Sequence, residues 1–180
     1  MKFVQSSKLV LLVTTLIALT TGSAQAAGGR HRVPVGNTPA DIPADVCGFP
    51  VHIGVVEDRE YVVHRTVNAD GSISTRVAGP LVNSLTNLDT GATITYDNGG
   101  PGTITTYPDG HATLDFQGHS MAWVRAAYQA RLGAPALRLV SGGRVVGTVD
   151  ASGDIVELAT NGNVLDGCAL LSSHLLTGSF

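Results

Sequence analysis

The sequence predicts an all-β domain, an antiparallel meander of about 8–10 strands closed as a barrel or packed as a sandwich. Three observations carry that expectation. Turn signals recur at Asn68-Ala69-Asp70-Gly71, Asp89-Thr90-Gly91, Asn98-Gly99-Gly100-Pro101-Gly102, Pro108-Asp109-Gly110, Ser141-Gly142-Gly143, Ala151-Ser152-Gly153 and Asn161-Gly162. Each supplies the Gly or Asn that tight turns need at positive φ. The segments between them alternate apolar and polar residues with a period of two, so each strand buries one face. Composition agrees: 43% hydrophobic but only 14% charged and 5% aromatic residues, with 22 glycines in 180 residues and a net charge of -3. These figures exclude a long disordered chain, a coiled coil and a basic nucleic-acid binder.

Taken from the N-terminus, residues 1-26 read as a signal peptide. Lys2 and Lys8 precede an apolar run from Leu9 to Thr20, and Ala24-Gln25-Ala26 supplies a small-x-small cleavage pattern. The run is shorter than the roughly 20 apolar residues a bilayer span needs. No Cys sits at the cleavage point, which argues against lipid attachment there. The expectation is therefore a released, extracellular protein cut after Ala26. Lys2 and Lys8 are the only lysines, so their removal takes the charge from -3 to about -5. Residues 27-46 read as a flexible linker, interrupted by Gly28-Gly29, Pro34, Pro39 and Pro43, with Arg30-His31-Arg32 as a solvated basic cluster. Residues 47-180 form the single β-domain, long enough to bury one core.

Within that domain, Tyr61, Val63 and Val67 alternate with His64 and Thr66. Ala112, Leu114 and Phe116 alternate with Thr113, Asp115 and Gln117, and Val145, Gly147 and Val149 with Val146 and Thr148. The interior is expected to draw on Val63, Val67, Ile73, Val77, Ile94, Leu114, Phe116, Leu139, Val149 and Leu158. Residues 121-132 resist the pattern. Ala, Arg and Leu there favour a short helix between Gly118 and Gly133-Ala134-Pro135, while Met121–Val124 also suits the end of a strand followed by a loop or helical turn.

Cys47 and Cys168 are the whole cysteine complement. An even pair in an exported chain, without CxxC or HxxxH spacing, reads as a disulfide rather than as metal ligands. It would bring the two ends of the domain within about 7 Å.

A Cys47-Gly48-Phe49-Pro50-Val51 start, a Pro108-Asp109-Gly110-His111 turn, a Gly118-His119-Ser120 step, a Gly143–Asp150 strand and a Cys168-Ala169-Leu170-Leu171 close together resemble small secreted β-domain proteins of actinobacteria. The resemblance spans Cys47 to about Leu171 and rests on turns, strand patterns and cysteines. It implies a secreted β-fold and carries no catalytic residues with it.

No catalytic constellation emerges. Gly118-His119-Ser120 sets His beside Ser, but neighbours in a strand point to opposite faces and cannot share a proton; no Gly-x-Ser-x-Gly elbow is present. His119 reads as a strand-end residue near solvent. His52, His64, His111 and His119, with Asp109 and Asp115, match no metal spacing. The glycine-rich Asp97–Gly102 stretch lacks the lysine and following helix of a phosphate loop and reads as a hairpin turn. The Thr93-Ile94-Thr95 and Thr103-Ile104-Thr105 strands suit a solvent face rather than a repeating binding surface.

The function expected is that of a secreted, non-enzymatic β-domain that binds a small apolar molecule or an extracellular protein, with no cofactor, no metal and no nucleic acid. The alternatives are a barrel enzyme that steers a reactive substrate, as cyclase and dirigent-type barrels do, and a structural or inhibitory envelope protein. In the cavity readings His64, Arg65, Asp115 and His119 are the candidate polar groups of the pocket.

Overall fold

The computed structural model describes residues 32–173. The segment 1-26 expected as a signal peptide, residues 27–31 of the expected linker and the tail beyond residue 173 lie outside the described residues. All pairings are antiparallel and fall into two sheets. One has four strands, in the order β2 (Ala40–Ile42), β3 (Val51–Asp58), β6 (Leu81–Asn87) and β7 (Thr93–Asp97). The other has seven, in the order β1 (Val33–Pro34), β4 (Tyr61–Val67), β5 (Ile73–Ala78), β8 (Gly102–Thr106), β9 (Ala112–Trp123), β10 (Leu137–Val149) and β11 (Ile155–Asp166). Three short helices complete the domain: α1 (Ala44–Cys47), α2 (Ala126–Leu132) and α3 (Gly167–Ser172). The all-β expectation holds, and the architecture is a sandwich. No pairing joins β11 back to β1, so no barrel closes among the described residues.

The meander is visible once the bends are followed. β3 runs into β4 through Arg59-Glu60, β5 into β6 through Gly79-Pro80, and β7 into β8 through Asn98–Pro101; at each point the chain leaves one sheet for the other. β3 pairs β6 while β4 pairs β5, and β6 pairs β7 while β5 pairs β8. Each bent arm thus lies along the next, and the bends stack. Arg59 N donates to Pro80 O at 2.9 Å, Asn98 N to Leu81 O at 2.8 Å and Gln117 N to Pro101 O at 2.9 Å. The backbones approach so closely that a side chain would not fit: a Cβ on Gly79 would lie 2.4 Å from Arg59 O, and one on Gly100 2.2 Å from Gln117 O. The Asp97–Gly102 stretch, expected as a hairpin turn, is this third bend, because its flanking strands belong to different sheets.

Two more turn signals sit inside strands. Ser141-Gly142-Gly143 and Asn161-Gly162 face each other where the β10–β11 register slips, Ser141 opposing Asn163 and Arg144 opposing Asn161. A bulge needs the same glycine freedom as a turn, so the two read alike in sequence. Residues 121-132 resolve as strand to Trp123 and then helix α2, so the strand ending and the helix both occur.

The main core lies where the four-stranded sheet meets β9 and β10. Ile42, Val46, Val51, Ile53, Leu85, Ile94, Tyr96, Leu137, Leu139 and Leu171 are buried together there. Each such aliphatic side chain contributes roughly 1.5–3 kcal/mol of burial. A smaller cluster joins Ala122, Val140 and Val145, with Ile155, Leu158 and Val164 packed against it. The described part of the expected linker is therefore not a flexible arm. β1 and β2 pair with β4 and β3, and Ile42 and Val46 enter the core. Prolines broke the periodicity there without preventing pairing at a sheet edge. Of the expected interior, Val77, Ile94 and Leu139 are buried, but Val63 and Val67 are 49% and 72% exposed. A register shift between Val62 and His64 puts β4 out of the simple alternation.

Cys47 and Cys168 form the disulfide, with Cα atoms 5.2 Å apart across 121 residues of sequence. They lie in α1 and at the start of α3 rather than on strands, tying these two helices together beside Val46 and Leu171. Buried Arg138 fastens α2. It donates to Leu132 O, Gly133 O and Pro135 O at the helix's end at 2.5, 3.0 and 3.0 Å, and burial pushes its guanidinium pKa down.

Candidate functional site

Where the three bends stack against β8 and β9, a cavity of about 150 Å³ remains. Its apolar wall comes from Val35, Val77, Leu81, Ile104, Phe116 and Met121, and its polar wall from Asn37, Glu60, Asn98, His119 and Ser120. Register sets part of this wall: Val77 opposes Gly102, and Gly102 opposes Phe116. A Cβ on Gly102 would lie 2.2 Å from the Phe116 ring, so glycine there gives the ring its place.

The polar side draws on the arm before β2 (Asn37), the first bend (Glu60), the third bend (Asn98) and β9 (His119 and Ser120). Glu60 is 8% exposed. Its Oε2 accepts from Asn37 Nδ2 at 2.9 Å, and its N–H donates to Asp58 Oδ1 at 3.0 Å. Asn37 N donates to Asp58 Oδ2 at 2.8 Å, and Val35 N to Glu60 O at 3.1 Å, so the chain's first arm is fixed to the second around this carboxylate. Burial pushes the Glu60 pKa above its usual value; the Asn37 hydrogen bond opposes this and the neighbouring Asp58 charge reinforces it. Among the described residues no Arg or His lies within ion-pair distance of Glu60. Asn98 Nδ2 donates to buried Asn83 Oδ1 at 3.1 Å, and Asn83 Nδ2 to Gly54 O at 3.1 Å. Ser120 is 3% exposed, and its Oγ is the one buried side-chain polar atom among the described residues without a hydrogen-bond partner. Nearby, Tyr96 OH donates to the carbonyls of Ser120 and Val140, joining the two sheets; burial pushes its phenol up to about 12. Its ring centroid lies 6.4 Å from that of His119.

Of the four expected pocket groups, only His119 lines this cavity. It is half-buried in mid-β9, not at a strand end. His64 and Arg65 are exposed on β4, where His64 Nε2 contacts Thr66 Oγ1 at 2.7 Å. Asp115 pairs through both oxygens with Arg144 Nε and NH2 at 2.7 Å, which lowers its pKa, on a different face of the sheet. Opposed residues share a face, so the ladder puts His64, Arg76, Thr103 and Asp115 in one row across four strands. Parallel to it run Thr66, Ser74, Thr105, Thr113, Thr148 and Glu157. The barrel assumption is what misplaced these groups; without closure, the polar face of the large sheet meets solvent. Among the described residues no group of three or more His, Cys, Asp or Glu side chains stands close enough to hold a metal ion. His52 contacts Asp41 and His111 contacts Asp109, each as an exposed pair.

Sequence reasoning missed Asn37, Glu60, Asn98 and Ser120. One signal was present for this network: Asn83 and Asn87 fall in phase with Leu81 and Leu85 on a buried face, and a core-face amide needs partners. Glu60, between Asp58-Arg59 and Tyr61, reads as a charged surface turn. Comparison with family models, curated proteins and solved structures gives no match for this chain. The cavity therefore has to speak for itself.

Proposed function

We propose that this protein is an exported, non-enzymatic binding domain whose bend cavity takes one small, largely apolar molecule. The observation that carries the reading is a cavity with an apolar wall whose polar wall holds, among the described residues, Glu60 without a counter-charge and Ser120 with an unpartnered hydroxyl. Buried polar groups are normally satisfied within the fold, and groups left over at a concave apolar site are what a ligand uses. Export rests on the N-terminal sequence pattern, and the disulfide is in keeping with an oxidising compartment. Of the groups whose burial in a cavity would favour the enzymatic alternative, His64 and Arg65 are exposed and Asp115 pairs with Arg144 away from this cavity, while His119 lines it.

Native mass spectrometry of the protein recovered from its own culture medium, compared with the denatured mass, tests this reading. A stoichiometric small adduct that is lost on denaturation, and absent from a Gly102→Phe variant that retains β-type circular dichroism, is the expected result. A bare chain that also fails to take up small apolar probes in titration would overturn it.

A second reading has its own observation. Among the described residues β1 pairs β4 only at Val62 and Tyr61, so residues 63–67 of β4 form a one-sided edge whose Val63 and Val67 are exposed. Such an edge suits strand addition by an extracellular protein partner.

A further inference from the structure

Resting on the reading of the bend cavity as a ligand site, we propose that its ligand is a small organic cation, an ammonium or amidinium group on an apolar body of about 6–10 heavy atoms. Size comes from the volume: a cavity of about 150 Å³ is that of an engineered apolar cavity known to hold benzene.

Charge comes from Glu60. Its Oε2 is bonded to Asn37, while Oε1 accepts no hydrogen bond from the described residues. The charge that acts on it is Asp58, at the end of β3 and of the same sign. The adjacent cation, Arg59, is turned to Glu57, and Arg32 lies over the Tyr61 ring. A carboxylate partly withdrawn from water with no cation beside it among the described residues carries a desolvation cost, and a bound cation offsets that cost where a neutral ligand cannot. An ammonium offers three N–H donors and no acceptor. The polar wall answers with acceptors, the free Glu60 Oε1 and the unused Ser120 hydroxyl. A metal ion does not suit the site, because it needs several carboxylate, thiolate or imidazole ligands and no such group of three is present among the described residues. The apolar wall from Val77 to Phe116 selects a carbon body over a hydrated ion.

The other ionisable liner is His119, with Tyr96 beside it. A protonated Glu60 would not attract a cation. Binding is accordingly lost on acidification.

Calorimetric titration of the oxidised protein at pH 7.5 with benzylamine, benzyl alcohol and toluene tests the proposal, repeated on Glu60→Gln and, for the native protein, at pH 4. The expected result is benzylamine at least tenfold tighter than benzyl alcohol, with the preference gone in Glu60→Gln and at pH 4 while benzyl alcohol binding persists. Benzyl alcohol or toluene binding as tightly as benzylamine overturns the cation proposal and leaves the cavity reading standing. No binding by any of the three overturns both. If Glu60→Gln does not fold, the pH 4 comparison on the native protein decides alone: a preference kept there overturns the proposal.

Discussion

The two ends of the sandwich treat buried polar groups differently. At the disulfide end, Asn87 is 2% exposed and fully engaged: Nδ2 donates to Leu171 O at 3.2 Å, and Oδ1 accepts from Asp89 N and Thr90 N at 2.9 and 3.3 Å. At the bend end, Ser120 is as deeply buried and, among the described residues, has no partner, and Glu60 has no counter-charge there. One chain solves the same problem completely in one place and incompletely in another. On the proposed reading, the difference separates groups that serve folding from groups a ligand would use, since folds depart from full satisfaction mainly at functional sites.

The contrast can be broken from either side. The largest effect belongs to the disulfide end. Replacing Cys47 and Cys168 together by Ser opens a 121-residue connection, for which the chain-entropy model gives at most about 5 kcal/mol of lost stability. Urea unfolding should show a large fall in midpoint while β-type circular dichroism survives; a fall under about 1 kcal/mol would mean the helices are anchored by other contacts. Next in size, Ile42→Ala should cost about 2–4 kcal/mol because Ile42 is fully buried. Val35→Ala, on the cavity's rim and 37% exposed, should cost under about 1 kcal/mol. Asn87→Ala should lose about 1–3 kcal/mol by orphaning its partners.

Glu60→Gln should act with the opposite sign at neutral pH. Burial holds the carboxyl's folded-state pKa above its unfolded value of 4.5. The folded state therefore binds the proton more tightly. That contribution is fully present below the unfolded value and is lost as pH rises through the raised one. Relative to the native protein, Glu60→Gln should gain stability between about pH 4 and 7, by no more than about 1 kcal/mol. A relative loss over that interval would place a cation beside Glu60 in the folded protein.

How far the sequence carried follows from what was local. The hairpins at Asp70-Gly71, Asp89–Gly91, Pro108–Gly110 and Ala151–Gly153 are set by residues within the turns, and they are where they were expected. The disulfide followed from a compartment and a count of two. The sheet-crossing bends did not follow, because a strand that leaves one sheet for another keeps its alternation. Only the wide gap between the turn signals at Asp70 and Asp89, about twice the spacing to the next ones, hinted that β5 and β6 were two strands divided at Gly79-Pro80. Ile42 and Val46 were hidden among prolines. The cavity was illegible for a further reason: Asn37, Glu60, Asn98 and Ser120 come from four separate arms and meet only through the stacking of three bends.

The most direct test of the claim that the bend cavity holds polar groups the fold does not need is the urea unfolding midpoint of Ser120→Ala. The Ser120 hydroxyl has no partner among the described residues, so its removal should leave the midpoint unchanged or raise it, with the denaturant slope unaltered. A loss of more than about 1 kcal/mol would contradict the account, because it would mean the hydroxyl is bonded within the folded protein and serves its stability.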